Sequence, residues 1–75
     1  MIMSGSKPAR LLDVRLVDIH GTRFYDVTYA HDDAPNERRS ARIGVESAYS
    51  NPQAGDNVLV SYIMNVVSGI QQRAV

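Results

Sequence analysis

The chain has no cysteine, no tryptophan and only one phenylalanine among its 75 residues. Without cysteine, neither a disulfide nor a zinc–thiolate site can hold so short a chain together, and no redox chemistry at sulfur is available. The length lies near the lower limit for a domain that folds alone. We therefore expect one small domain that gains stability as a homo-oligomer or by burying surface against a protein partner.

Net charge is also absent, because eight basic residues balance eight acidic ones. No overall field draws the protein to nucleic acid or to acidic membranes, so any such binding has to come from a local cluster of charges. No apolar run approaches the length that spans a bilayer. These observations predict a cytoplasmic protein without a membrane partner.

The sequence holds no motif that is typical of catalysis or of metal binding. His20 and His31 lie near aspartates, but their spacing fits no metal-binding signature. No serine lies in a nucleophile-elbow pattern, and the pair Asp32 and Asp33 lies in a loop with proline, where carboxylates are usually solvated. We therefore expect no enzymatic activity, no metal and no cofactor.

The clearest structural signal is the apolar run over residues 58–64, which follows a turn signal that contains Pro52 and Gly55. A short run rich in β-branched and aromatic residues, bounded by Pro and Gly, predicts a buried strand. Alternation places one set of side chains in the core and leaves Leu59 and Ile63 on the other side of the sheet. The inward set is Val58, Val60, Tyr62 and Met64.

Two stretches before this run predict a hairpin. Leu11–Ile19 alternates between apolar and polar residues, with a shift of one position between Leu16 and Val17 that predicts a bulge or a bend. Gly21–Thr22 supplies a turn, since glycine adopts the positive φ of a tight hairpin. Arg23–Ala30 then alternates cleanly and forms the second predicted strand.

Three further elements complete the prediction. A polar loop with Pro35 separates the hairpin from a short third strand over Ser40–Val45. Residues 46–50 predict a single helical or 3₁₀ turn, with Tyr49 as its apolar contact. Val66, Val67 and Ile70 mark a last strand after Asn65.

This pattern predicts an all-β fold, either a small five-stranded barrel of the SH3-like or OB-like kind or a curled antiparallel sheet, with one short helical or 3₁₀ turn. Residues 1-10 begin with a polar segment rich in serine and glycine, and we expect a flexible N-terminal tail there. Residues 11-75 are predicted to form the single small β-barrel domain.

The function predicted first is a non-enzymatic binding module that binds protein or associates with itself. A strand that is apolar on both sides needs cover on its outer side, which a second subunit or a partner could provide. The predicted interface consists of Phe24, Leu59, Ile63 and Val67. Cover from within the same chain, by the N-terminal segment or by the helical turn at Tyr49, is the simpler alternative.

A second hypothesis is a small barrel that binds single-stranded nucleic acid through arginines and stacking rings. Its candidate residues are Arg23, Tyr25, Arg38, Arg39 and Arg42. The acidic residues just before the arginine cluster weaken this reading, because they could pair with the same arginines. A third hypothesis is a small inhibitor that docks on a larger enzyme, although no residue selects a target.

Overall fold

The computed structural model describes residues 4–73, which form five strands and one short 3₁₀ turn. From Leu11 onwards the strands are rich in β-branched or aromatic residues or alternate between apolar and polar positions. The elements are β1 (Ser4–Ile19), β2 (Thr22–His31), β3 (Arg39–Gly44), a 3₁₀ turn (Val45–Ser47), β4 (Asn57–Ile63) and β5 (Val66–Gln72).

The five strands form one antiparallel sheet in the order β3-β2-β1-β4-β5. The chain returns after β3 through a long connection, so that β4 lies beside β1 in a Greek-key arrangement. β3 and β5 are the two edges of the sheet. The sheet curls until these edges approach each other, yet it is not closed into a barrel, because no ladder joins them within residues 4–73.

Strand β1 connects the two halves of this sheet. Its first part, Ser4–Arg10, pairs with β4, and its second part pairs with β2 from Ala9 to Ile19. The register with β2 shifts between Leu11 and Asp13, which marks a bulge. A bulge increases the local twist and bends a strand, so β1 turns from one half of the sheet to the other at this point.

Two features of β1 differ from the sequence prediction. The predicted flexible tail over residues 1-10 is strand from Ser4 onwards, since the backbone of Ser4–Arg10 forms a ladder with β4. Residues 1–3 of that predicted tail lie outside the described part of the chain. The bulge lies at Leu12 and not between Leu16 and Val17, where the pairing with β2 is regular.

Two tight turns set the registers of the hairpins. His20 and Gly21 connect β1 to β2 with φ values of 52° and 83°, and Met64 and Asn65 connect β4 to β5 with φ values of 50° and 68°. Positive φ at both central residues is the signature of a type I′ turn, whose twist matches that of antiparallel strands. Met64 therefore lies in a turn and not in the core position that alternation predicted, because β4 ends at Ile63.

The core lies on the concave side of the curled sheet and receives side chains from all five strands. Val58, Val60 and Tyr62 fill it from β4, as predicted. Tyr49 packs against its edge after the 3₁₀ turn and donates a hydrogen bond of 2.6 Å to Asp56. The other buried members of the cluster are Ala9, Leu11, Val27, Tyr29, Ile43 and Ile70.

Leu11 provides a test of this core, because its side chain is fully buried and its backbone bonds to Gly55 and Asp56 in the connection before β4. Leu11→Ala should lower the free energy of unfolding by about 2–5 kcal/mol, through lost apolar burial and the cavity that remains. Urea unfolding followed by circular dichroism measures this change.

Leu16→Ala is the matched control, since Leu16 lies on the same strand but is 58% exposed. Its effect should stay within about 0.5 kcal/mol. Equal losses for the two variants would contradict the burial pattern of β1.

Candidate binding surfaces

One outer face of the sheet is uncharged from Ser4 to Pro8 on β1 and from Leu59 to Ile63 on β4, and the next outward residue of β1 is the exposed Arg10, opposite Asn57. Ser6 lies opposite Ser61, and their hydroxyl oxygens are 3.2 Å apart, which shows that both side chains are on the same side of the sheet. Pro8 lies opposite Leu59. We call this surface the uncharged face, and its members are Ser4, Ser6, Pro8, Leu59, Ser61, Ile63 and Val66.

The apolar part of the uncharged face is concentrated at the β4–β5 hairpin. Ile63 is 61% exposed and its cross-strand partner Val66 is 66% exposed. Met64, in the turn between them, is 71% exposed, whereas Leu59 is half-buried further along β4. Three large apolar side chains at one hairpin tip form a small continuous patch, which is the kind of feature that marks an interaction site.

The structure brings together two of the four residues that the sequence predicted as an interface. Leu59 and Ile63 share the uncharged face, two strand alternations apart. Val67 lies on the inner side and packs against the core, because a register shift after Ser61 pairs it with buried Tyr62. Phe24 lies at the opposite end of β1 from this patch, since it pairs with Val17 whereas Ile63 pairs with Ser4.

The outer surface of β2, β3 and the second half of β1 is charged but internally neutralised. Arg42 donates two hydrogen bonds to Asp26, with distances of 2.6 Å and 2.9 Å, in a bidentate pair. These bonds hold the pKa of the Asp26 carboxyl below its usual range. Arg15 lies 3.3 Å from Asp13 on the same surface. Arg42 is therefore already bound to a carboxylate and is a poor candidate for contacting phosphate.

The other four residues of the predicted nucleic-acid site are divided between two ends of the sheet. Arg23 lies beside the first hairpin turn, and Tyr25 is half-buried against the core. Arg39 is the first residue of β3, at the far end of the β2–β3 ladder, and Arg38 directly precedes it. Arg39 is 3.9 Å from Glu37, and Arg38 forms no ion pair within residues 4–73.

The acidic loop pairs with basic residues other than those the sequence suggested. Asp32 accepts a hydrogen bond of 2.9 Å from Arg73, and Asp33 accepts one of 2.8 Å from Lys7. Of the acidic residues in this loop, Glu37 alone lies near an arginine of the predicted nucleic-acid site, at 3.9 Å from Arg39. These pairs connect the loop to β1 and to Arg73, which follows β5, and they leave the positive charge at Arg38 and Arg39 largely uncompensated.

A buried polar chain lies beneath the loop, and its centre is a histidine that sequence analysis considered only as a metal ligand. His31 is 3% exposed, and its Nε2 lies 2.7 Å from the Tyr62 hydroxyl. That hydroxyl lies 2.9 Å from the hydroxyl of Tyr29, which is also buried. Within residues 4–73, every buried side-chain nitrogen or oxygen has a hydrogen-bond partner.

The two hydrogen bonds that join His31, Tyr62 and Tyr29 can both form when His31 is neutral. A proton on Nδ1 leaves Nε2 free to accept from Tyr62, whose oxygen then accepts from Tyr29. A charged His31 would have to donate through Nε2, which would reverse the chain and leave the Tyr29 proton without this acceptor. Burial, together with the positive charges of Arg39 and Lys7, lowers the pKa of His31, while Asp33 and Glu37 oppose the shift.

No cluster of three or more histidine, aspartate or glutamate side chains is placed to hold a metal ion within the described part of the chain. No helix among residues 4–73 is long and apolar enough to cross a membrane. No protein-family model, no curated protein and no solved structure matches the chain. The surfaces described above are therefore the basis for any functional proposal.

The lowered pKa of His31 predicts a specific dependence of stability on pH. As the pH falls through about 6.5, the unfolded chain takes up a proton on this histidine before the folded chain does, so the free energy of unfolding decreases. The loss should end below the folded-state pKa, where both states are protonated. Urea unfolding between about pH 8 and about pH 5 measures this slope.

His31→Gln keeps a hydrogen-bonding side chain but does not titrate, so it should remove this part of the slope. His20→Asn is the control, because asparagine before Gly21 suits the type I′ turn and the variant retains His31. If the pH dependence of the free energy of unfolding persists in His31→Gln and disappears in His20→Asn, it does not come from His31.

Proposed function

We propose that the protein is a non-enzymatic binding module that associates with a second copy of itself through the uncharged face. The observation that supports this proposal is the exposed apolar patch of Ile63, Met64 and Val66 beside serine and proline side chains. Burying one large aliphatic side chain contributes about 1.5–3 kcal/mol. The named members of this face carry no charge, and Arg10 lies at the opposite end of the β1–β4 ladder from Ile63, so two copies can meet at the hairpin without like-charge repulsion.

The size of the chain also favours association. A 75-residue domain without disulfide or metal has little apolar burial to spare. A two-fold contact would add Ile63 and Val66 from each copy to the buried surface, and the paired serines can form hydrogen bonds at its rim. The charged surface of β2 and β3 is less suited to such a contact, because its ion pairs would lose their hydration.

We also propose that the fold is OB-like and not SH3-like. The support is the Greek-key order, the shared first strand and the 3₁₀ turn between β3 and β4. OB-folds are five-stranded, partly open Greek-key barrels. This likeness concerns architecture, and it does not select a ligand for the chain.

Single-stranded nucleic acid is the second candidate ligand. The observation that favours it is the weakly compensated charge of Arg38 and Arg39 at the start of β3. The bidentate pairing of Arg42 with Asp26 counts against it, as does the half-buried position of Tyr25. It therefore ranks below self-association.

The first proposal predicts that light scattering detects a species of twice the chain mass, and that Ile63→Asp converts it to monomer. A carboxylate at the centre of an apolar contact would have to be desolvated without a partner, which is strongly unfavourable. Since Ile63 is exposed in the monomer, the variant should keep the wild-type circular dichroism spectrum.

Leu16→Asp is the matched control, because it places the same charge at a similarly exposed leucine on the other hairpin. It should leave the mass unchanged. A monomeric wild-type protein, or equal dissociation by both variants, would remove the proposal.

The second candidate predicts a weak dependence of binding on salt. If Arg38 and Arg39 each contact one phosphate, the logarithm of the affinity for oligothymidine should fall with the logarithm of salt concentration at a slope of about −1.4. Fluorescence anisotropy measures this slope. An absence of binding at low salt would exclude the nucleic-acid function.

A further inference from the structure

A groove of about 390 Å³ lies where the two edges of the curled sheet approach each other. One wall is the edge of β3, and the other is the start of β5 with the turn before it. Tyr29 and Tyr62 contribute to the lining. The remaining lining residues are Arg39, Ser40, Ala41, Arg42, Asn65, Val66 and Val67. We refer to this feature as the edge groove.

The edge groove is open at one end and closed at the other. At the closed end, a side-chain carbon on Gly69 would lie 2.6 Å from the carbonyl oxygen of Ser47, so β5 and the 3₁₀ turn are in direct contact there. Arg39, at the start of β3, and Asn65, in the turn before β5, both line the groove towards its open end. The groove volume is in the lower part of the range for ligand sites, which suits a short segment.

The walls of the groove have backbone groups that can form further hydrogen bonds. Within residues 4–73, no backbone hydrogen bond joins β3 to β5, although each is paired on its other side. An edge strand presents a row of N–H and C=O groups that can pair with an added strand. Extended peptides bind many sheets in this way, with the main chain providing affinity and the side chains providing specificity.

The charge of the groove selects an acidic occupant. Its lining includes two arginines and no carboxylate. Arg42 forms a short hydrogen bond with Asp26. Arg39, in contrast, is half exposed, and its nearest carboxylate, Glu37, is as far away as 3.9 Å. Arg38 adds a second positive charge beside it without forming an ion pair within the described residues. A carboxylate on an incoming segment would therefore meet positive charge at the open end.

We propose that the edge groove binds an acidic, extended peptide segment of a partner protein, which adds as a strand beside the Arg39–Ala41 part of β3. A peptide can satisfy both the N–H and the C=O groups of the edge, whereas a nucleic-acid backbone has no N–H donors for the carbonyl groups. Stacking of bases is also disfavoured, because the Tyr29 and Tyr62 rings are buried. This site adjoins the self-association contact, with which it shares Val66, but its lining does not include Ile63.

The test uses three labelled probes in fluorescence anisotropy titrations. They are a capped peptide of alternating Glu and Val about eight residues long, its Lys and Val counterpart, and an oligothymidine. The acidic peptide should bind saturably below about 1 mM, and the basic peptide should bind at least about threefold more weakly. In amide hydrogen exchange, the acidic peptide should slow the exchange of β3 amides.

Arg39→Glu should reverse the preference, so that the basic peptide binds more tightly than the acidic one. Arg15→Glu is the control with the same change in net charge, since Arg15 lies on the outer surface next to Asp13 and not in the groove. It should keep the preference for the acidic peptide. Circular dichroism of both variants shows that they remain folded.

Three outcomes would overturn the proposal. The first is no saturable binding of the acidic peptide at about 1 mM, and the second is an equal loss of acidic-peptide affinity in Arg39→Glu and Arg15→Glu. The third is binding of oligothymidine that the acidic peptide does not displace. Repeating the titrations with Ile63→Asp separates the two proposals. Peptide binding that persists in this variant shows that the groove acts independently of self-association, and a dimer without peptide binding would leave only the first proposal.

Discussion

The structure depends on the pairing of β1 along both of its edges. Within residues 4–73, only Ala9 and Arg10 have ladder partners on both sides, so the two halves of the sheet meet over a very short stretch. Leu11 follows immediately, with a fully buried side chain and backbone bonds to Gly55 and Asp56. The bulge after Leu11 bends the strand there, and a single residue thus connects the ladder, the core and the long connection.

The change of partner along β1 also separates the surfaces of the protein. The first part of the strand contributes serine and proline to the uncharged face, while the second part contributes Asp13 and Arg15 to the charged surface. Because the outer positions from Ser4 to Pro8 lack charge and those of the second half of β1 and its neighbours carry matched ion pairs, the zero net charge of the chain hides a local asymmetry. Removing water from a surface with ion pairs costs free energy, because its charged groups lose their hydration. The uncharged face has the lower cost of desolvation.

Much of this fold could be predicted from the sequence, because local alternation determined it. The strand around Val60, the Gly21 turn and the contact of Tyr49 all follow from short-range patterns. The strand character of Ser4–Arg10 could not be predicted in the same way, since serine, glycine and proline have low β-propensity. Its ladder comes from β4, whose residues lie about fifty positions away in the chain, from 47 for Arg10 and Asn57 to 59 for Ser4 and Ile63.

The candidate surfaces were less predictable for the same reason. Leu59 and Ile63 share a face because they are close in sequence, whereas the position of Phe24 depends on long-range pairing. Val67 packs against the core because the β4–β5 register shifts after Ser61. Composition does not predict such a shift. The uncompensated charge at Arg38 also depends on tertiary contacts, since Asp32 and Asp33 pair with Arg73 and Lys7.

The β4–β5 turn shows how the backbone positions both proposed sites. Met64 has a φ of 50°, a conformation that a residue with a side chain seldom adopts and that costs free energy. The two-residue turn places Ile63 and Val66 opposite each other on the uncharged face, and it places Asn65 at the open end of the edge groove. A longer loop would avoid positive φ at Met64, but it would leave the Ile63–Val66 pair and the position of Asn65 less defined. The same strained turn therefore fixes both the apolar patch of the proposed self-association contact and one wall of the proposed peptide site.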